Sequence, residues 1–487
     1  MVDTKRLVTP GASYRIEGNR ALFIWVSFGL LSLVTMGSEI APLGLLLPLV
    51  FVFVRLNAYR FLIFLLAGYV CFFPPGLPGS LLRSFFTADT LSIAFIFLFV
   101  LSYLRDPGRL RIPLSPTLLS LYLAVAYIVI LSFRSIPSGT TKMEWILLDL
   151  KNAFYLLFVP LLLILDGRTR EPKKFFYLLS AFVLFSVIHS LFVIGRFLVT
   201  QERVVTWNEI FISDSVIISA LLLRFKLGIK TTWLLRISVV VSTLGLLITQ
   251  TRGLWLSTIA ALGIFYACDL FRGKKFRSVP IFRTVLIGAT AFLAANLLFM
   301  FLAGKPLTTF VFDRFAMESF TGYVDPFSSV GYRIHESWAI WDERTLFGHG
   351  PGATVHLYFT QLGMGRFMDW WAIHSGYFDL LHKYGFVGMT IILWMFGAYF
   401  FLGWRLAGSR SRAVSAFGAV IATVILNHAI VSVTSAYFFR HGVIMWLPLF
   451  FIAERLRPRA HEGSATTGET PDAPPSTPSP EGRGAPA

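Results

Sequence analysis

The sequence predicts an all-α, polytopic integral membrane protein with about 12–14 transmembrane helices and one long polar loop. Three observations carry that prediction. Hydrophobic residues make up 55% of the 487 and charged residues only 14%, where a soluble domain carries about 25% charged. Apolar runs of 16–25 residues recur along the chain, each long enough to cross a hydrocarbon core of roughly 30 Å. Backbone N–H and C=O groups find no partner in lipid, so runs of this kind are helices.

Taken in order, the spans fall near 20–37, 41–55, 61–77, 87–104, 114–133, 144–165 and 175–196. They continue near 208–225, 233–250, 253–271, 284–302, 375–403, 413–434 and 438–455. The chain divides accordingly into an N-terminal segment 1–19, a bundle 20–302, a polar loop 303–372, C-terminal helices 373–457 and a tail 458–487. The tail, rich in Pro, Ser, Thr and Gly after Arg459, cannot bury a core and is expected to be disordered. No small-residue cleavage site follows the polar N-terminus, so the first span reads as a retained signal-anchor.

The formal charge of +17 could suggest nucleic acid, but its distribution excludes that class. Basic residues gather in alternate short loops: Arg55 and Arg60, Arg105 to Arg111, Arg168 to Lys174, Arg272 to Arg283, Arg405 to Arg412. This is a topology signal, and by the positive-inside rule those loops and both termini are cytoplasmic. The 303–372 loop is then external. Cys71 and Cys268 fall toward opposite sides of the membrane, so no disulfide is expected.

Polar chemistry concentrates beside that loop. Arg252, in T-Q-T-R-G-L-W-L-S, sits on a tight turn between two spans on the external side. It reads either as an interfacial arginine beside an anchoring Trp255 or as an anion site, since a guanidinium binds phosphate with two parallel hydrogen bonds. Arg333 begins an amphipathic helix over Tyr332 to Arg344, with Ile334, Trp338 and Trp341 on one face and Arg333, Glu336 and Arg344 pointing elsewhere. F-G-H-G-P-G then reads as a helix stop and turn. His374 opens the next span, where a neutral imidazole can take a proton from a hydroxyl near pH 7. His335, His349 and His356 share the loop without metal-ligand spacing, so no metal is expected. Asp149 and Lys151 interrupt one span and Asn427 and His428 another. The first two either pair with each other or line a cavity.

These segments together resemble the O-antigen ligase and polymerase superfamily of bacterial envelope glycosyltransferases, most clearly over Thr249 to Gly388. T-R-G-L-W-L resembles the family's Arg-Gly-x-Trp turn, and G-Y-R-I-H-E-S-W-A-I-W-D-E-R-T-L-F-G-H-G-P-G its external Arg-helix and Leu-Phe-Gly-x-Gly-Pro-Gly segment. His374-Ser375, nine residues and Gly385-x-x-Gly388 resemble the pattern associated with ligases. The chain departs from that pattern in Ser375, where Asn is commoner, and in His349, which fills a usually apolar slot.

The resemblance implies a multi-pass protein of the bacterial inner membrane with its active site on the periplasmic side. It implies a glycan on undecaprenyl pyrophosphate as donor, and a hydroxyl of lipid A-core or of a second lipid-linked glycan as acceptor. It further implies a metal-independent, inverting transfer without cofactor. By carry-over, Arg252 and Arg333 grip the pyrophosphate and His374 is the catalytic base. The histidine pattern favours a ligase over an O-antigen or exopolysaccharide polymerase. A lipid-linked-glycan transporter, which calls for repeat symmetry and midmembrane charges, is the remaining alternative.

Overall fold

The computed structural model describes residues 113–135, 143–165, 172–200, 209–225, 232–249, 251–271, 329–359, 366–370, 373–435 and 443–457, with single positions at 62, 293, 296, 297, 300, 304, 306, 308 and 309. The spans expected at 20–37, 41–55, 61–77, 87–104 and 284–302, both terminal segments and Cys71 lie outside these residues, apart from those single positions.

The helices, in chain order, are α1 (Pro116–Ser135), α2 (Met143–Leu156), α3 (Phe158–Leu165), α4 (Pro172–Thr200), α5 (Glu209–Arg224), α6 (Thr232–Ile248), α7 (Arg252–Phe271) and α8 (Ser329–Asp342). A short ribbon, β1 (Val355–Phe359) and β2 (Arg366–Trp370), precedes α9 (Gly376–Ala407), α10 (Arg412–Val431) and α11 (Val443–Leu456). Five stretches among the described residues are long and apolar enough to cross a membrane: Pro116–Ser135, Trp145–Ile164, Lys174–Thr200, Gly376–Ala407 and Arg412–Val431. The chain is a multi-pass, all-α membrane protein. The span expected at 144–165 is broken at Leu157, so that α2 and α3 follow each other across one turn.

Helix α9 lies against both α10 and α1, α5 against α4 and α6, and α7 against α10. One apolar core runs through all of them, from Leu121 and Ile128 through Phe182, Phe211 and Leu254 to Phe417, Trp446 and Phe450. The bundle has two chemically different ends. At one end Arg224 pairs with Asp269, Arg455 donates to the Leu163 carbonyl and Arg457 meets Glu454 and Thr117. At the other lie the C-terminus of α1, the N-termini of α7 and α9, the C-terminus of α10 and helix α8.

Polar residues buried between helices are matched across helices. Asp149 meets Lys383 on α9 at 2.7 Å, and Lys383 lies 3.3 Å from Asp379 one turn earlier. Asp149 is thus paired between α2 and α9. A lysine one turn past Asp379 presents its ammonium to both helices. Asn427 and His428 face α5, where Asn427 Nδ2 donates to Ser213 Oγ at 2.9 Å and to Asp214 Oδ1 at 3.1 Å. His428 Nε2 lies 2.8 Å from Asp214 Oδ2. Asp149, Asn427 and His428, polar groups that cost several kcal/mol alone in lipid, thus find counterparts on a neighbouring helix.

The polar loop holds a structure absent from the helical expectation. V-H-L-Y-F and R-F-M-D-W pair antiparallel, Val355 opposite Trp370 and Phe359 opposite Arg366. Both are rich in the β-branched and aromatic residues that suit a pleated ribbon.

Candidate functional site

Three segments that carry the residues singled out by sequence, the start of α7, helix α8 and the entry to α9, meet around one short turn, Ser432 to Ser435, at the C-terminal end of α10. Arg252 is the first residue of α7, and Gly253 behind it presses on that turn. A Cβ on Gly253 would come within 2.7 Å of Thr434 Oγ1, so any larger residue would displace the Thr434 side chain. Trp255 is buried, and its indole N–H donates to the Leu246 carbonyl at 2.6 Å. It closes the tight turn from inside, and the anchoring role considered for it at a membrane interface does not hold. Thr251 Oγ1 donates to the buried carboxylate of Glu209 at 2.5 Å, tying the turn to the N-terminus of α5.

Arg333 reaches the same turn from α8. Its guanidinium is exposed and Nη1 donates to the Thr434 carbonyl at 3.3 Å. The helix spans Ser329–Asp342, starting three residues before the expected Tyr332 and ending two before Arg344. Ile334, Trp338 and Trp341 are exposed as one apolar stripe, suited to a membrane interface. The opposite face is buried and carries Ile340, which packs with Val355 and Ile373.

Glu336 lies on that buried face, only 1% exposed. The sequence places it away from the apolar stripe, as the structure does, and the packing adds that this side meets the protein. The spacing of Ile334, Trp338 and Trp341 identifies one stripe and not which side of the helix meets the protein. The bundle takes the other side because β1 and the N-terminus of α9 supply its partners.

His374 completes the group. The chain enters α9 through His374-Ser375-Gly376, with the Gly376 amide donating to the Ser432 carbonyl at 2.8 Å and Ser375 Oγ to the same carbonyl at 3.4 Å. The His374 amide donates to Glu336 Oε2 at 3.0 Å, and its Nδ1 lies 3.2 Å from both carboxylate oxygens. An ionised carboxylate only accepts, so Nδ1 carries the proton and Nε2 presents the lone pair. The imidazole is 33% exposed while its carboxylate partner is 1% exposed. A side chain held from behind and open in front is arranged to take a proton from an incoming group. Around the turn lie Arg333 and the N-termini of α7, which opens with Arg252, and of α9; the positive dipole ends of these helices favour anions.

The F-G-H-G-P-G segment does more than stop a helix. Gly385 interrupts α9 with φ 65° and ψ −174°, a conformation in which glycine has no steric cost. The break frees the carbonyls of His382 and Lys383, which accept from the amides of His349 at 2.9 Å and Gly350 at 2.8 Å. In return the Val387 amide donates to the Leu346 carbonyl at 3.1 Å. Gly348, at φ 77°, lies so close that a Cβ on it would collide with the Lys383 carbonyl and the Gly385 amide. Gly388 meets the Tyr127 ring of α1, and Gly352 donates its amide to Asp149 at 2.8 Å. The segment is thereby fastened to α9, α1 and α2. Beside it Glu343, His349 and His382 each bring a possible ligand atom within 4.8 Å of the others.

Glu336, Glu209 and the 432–435 turn are the parts of this arrangement that sequence reasoning missed. Glu336 had one available signal, its place three residues after Arg333 on the side opposite the tryptophans. The turn offers only backbone carbonyls and small hydroxyls and had none.

Residues 237–393 match a family described as O-antigen ligase. That segment contains Arg252, Arg333, Glu336, His374 and the broken turn at Gly385. No curated protein matches the chain.

Proposed function

We propose, from the match of residues 237–393 to the O-antigen ligase family, that this chain transfers a glycan from undecaprenyl pyrophosphate to an acceptor hydroxyl, and that Ser432 to Ser435 forms the floor of the transfer site. The carrying observation is that three separate parts of the chain meet at that turn: Gly253, next to Arg252, packs on Thr434, Arg333 donates to the Thr434 carbonyl, and Gly376, two residues past His374, donates to the Ser432 carbonyl. In this reading the site faces the periplasm from a bacterial inner membrane. The clustering of Arg224, Arg455 and Arg457 at the other end of the bundle supports that orientation.

His374 Nε2 takes the proton of the acceptor hydroxyl as its oxygen attacks the anomeric carbon. The bond from that carbon to the pyrophosphate oxygen breaks, and the lipid pyrophosphate leaves carrying the electron pair. Arg252 and Arg333 meet the charge that develops there, which no proton need neutralise. Glu336 stabilises the imidazolium that forms. Attack from the face opposite the leaving group inverts the anomeric centre. These steps use the chain's own side chains.

The acceptor is assigned as a lipid A-core sugar, on the strength of His374-Ser375 and Gly385-x-x-Gly388. Deletion should leave core-only lipopolysaccharide beside intact lipid-linked polymer. Core capped with a single repeat would instead assign the chain as a polymerase joining lipid-linked units. With purified protein and a lipid-linked glycan, His374→Ala, Arg252→Ala and Arg333→Ala should each abolish most transfer, while Arg344→Ala should retain it. Full transfer by His374→Ala would remove the base from the mechanism.

A further inference from the structure

We propose that Glu343, His349 and His382 form a binding site for one divalent transition-metal ion of the zinc class, which clips the 343–350 segment to the broken turn of α9. One ligand atom from each of the three lies within 4.8 Å of the others, so that a small inward movement of the exposed Glu343 and His349 side chains brings all three to about 2.0–2.2 Å from a single ion.

The hydrogen bonds of the two histidines prepare them for this. His382 Nε2 lies 3.2 Å from the Thr354 carbonyl and His349 Nε2 lies 2.9 Å from the Glu343 carbonyl. A carbonyl oxygen only accepts, so each neutral ring carries its proton on Nε2 and leaves the Nδ1 lone pair free for a cation. Metal-binding histidines are oriented in this way, with the second ring nitrogen donating to a backbone carbonyl or carboxylate. His382 is 2% exposed, and its Nδ1 has no hydrogen-bond partner. A buried lone pair left without a donor costs free energy, and a bound cation removes that cost. The two rings lie with centroids 4.7 Å apart at 36°. Glu343 adds a carboxylate, and its exposure with that of His349 leaves an entry path and room for a water as fourth ligand.

The charges nearby tolerate a cation. The Lys383 ammonium is engaged by Asp149 and Asp379, and the Arg344 guanidinium lies over the Trp341 ring at 4.4 Å. Two imidazoles and one carboxylate select zinc-class ions over calcium or magnesium, which prefer all-oxygen shells. His382 stands six residues past Gly376, the first residue of α9, about 9 Å of helix rise beyond the end where His374 enters, so the ion would brace the fold without entering the transfer chemistry.

The test uses the full-length protein in detergent, purified with a tag that contains no histidine and stripped with EDTA. After equilibration with micromolar Zn2+ and gel filtration, elemental analysis should find one zinc per chain. Co2+ in its place should show visible d–d absorption, and Zn2+ should raise Tm by about 2 °C or more. His349→Ala, an exposed change that leaves the bundle core untouched, should weaken Zn2+ binding by more than the ~10- to 100-fold that losing a supporting hydrogen bond costs. Glu343→Gln should weaken it as well, and His335→Ala should bind normally. Wild-type protein that retains no zinc, or His349→Ala that binds as well as wild type, would overturn the proposal.

Discussion

Replacing Glu336 by glutamine tests how the transfer site is built, because it removes a charge while keeping nearly the same shape. Glu336 is 1% exposed and bonds His374 three ways, through the amide at 3.0 Å and through Nδ1 at 3.2 Å to each oxygen. Glutamine can still accept from the amide or the ring. It cannot offset the positive charge the imidazole gains as it takes the acceptor proton. A hydrogen bond to a charged group contributes about 1.5–3 kcal/mol, and each 1.36 kcal/mol on the barrier is tenfold in rate. The variant should therefore lose about 10- to 160-fold in kcat, with KM for the lipid-linked donor nearly unchanged, since the arginines that hold the donor are untouched. The assay is steady-state glycan transfer by purified protein, with Tm measured alongside to exclude unfolding. A kcat within twofold of wild type would refute the claim that Glu336 supports His374. A loss carried wholly by KM would place Glu336 with donor binding instead.

Other consequences follow from the same packing. Lys383→Met leaves Asp149 and Asp379 buried without their cation, and breaking a buried pair from one side costs about 3–5 kcal/mol. The variant should show a large drop in thermal stability in detergent, and an unchanged Tm would contradict the α2–α9 pairing. Gly385→Ala puts a Cβ against the Leu346 carbonyl and the Gly348 amide at a positive φ. It should detach the 346–350 segment, read as faster hydrogen exchange at the His349 and Gly350 amides. Arg252→Lys and Arg333→Lys keep the charge but lose the fork that grips a diphosphate, so each should raise the KM for donor several-fold more than Arg344→Lys does.

Much of this was legible in the sequence because lipid imposes strict rules. The boundaries of α1, α4, α5, α6, α7, α9 and α10 fall within a few residues of the apolar runs, since the cost of an unpaired backbone group in lipid leaves little freedom. Arg252, Arg333 and His374 were singled out as polar residues at the edges of apolar spans, and their roles in transfer are proposed. Partnership across the bundle was not legible. Asp149 with Lys383 and Glu336 with His374 join positions 234 and 38 residues apart, and no periodicity encodes which helix neighbours which. The ribbon at 355–370 escaped because two five-residue strands between helices carry no repeat long enough to separate them from loop. Gly385 shows the same limit. Its place in a Gly-x-x-Gly pattern marked it as special, while the reason, a helix opened so that two carbonyls can receive a loop, lies in the Leu346 to Gly350 backbone.

The central claim is that Arg252 and Arg333 form one anion site over the 432–435 turn with His374 beside it. It is tested most directly by a cryo-EM structure of the protein with a lipid-linked pyrophosphate donor bound. Diphosphate density is expected within hydrogen-bond distance of both guanidiniums and above Thr434, with the anomeric carbon turned toward His374 Nε2. Diphosphate bound elsewhere in the bundle, with either arginine left out of contact, would contradict it.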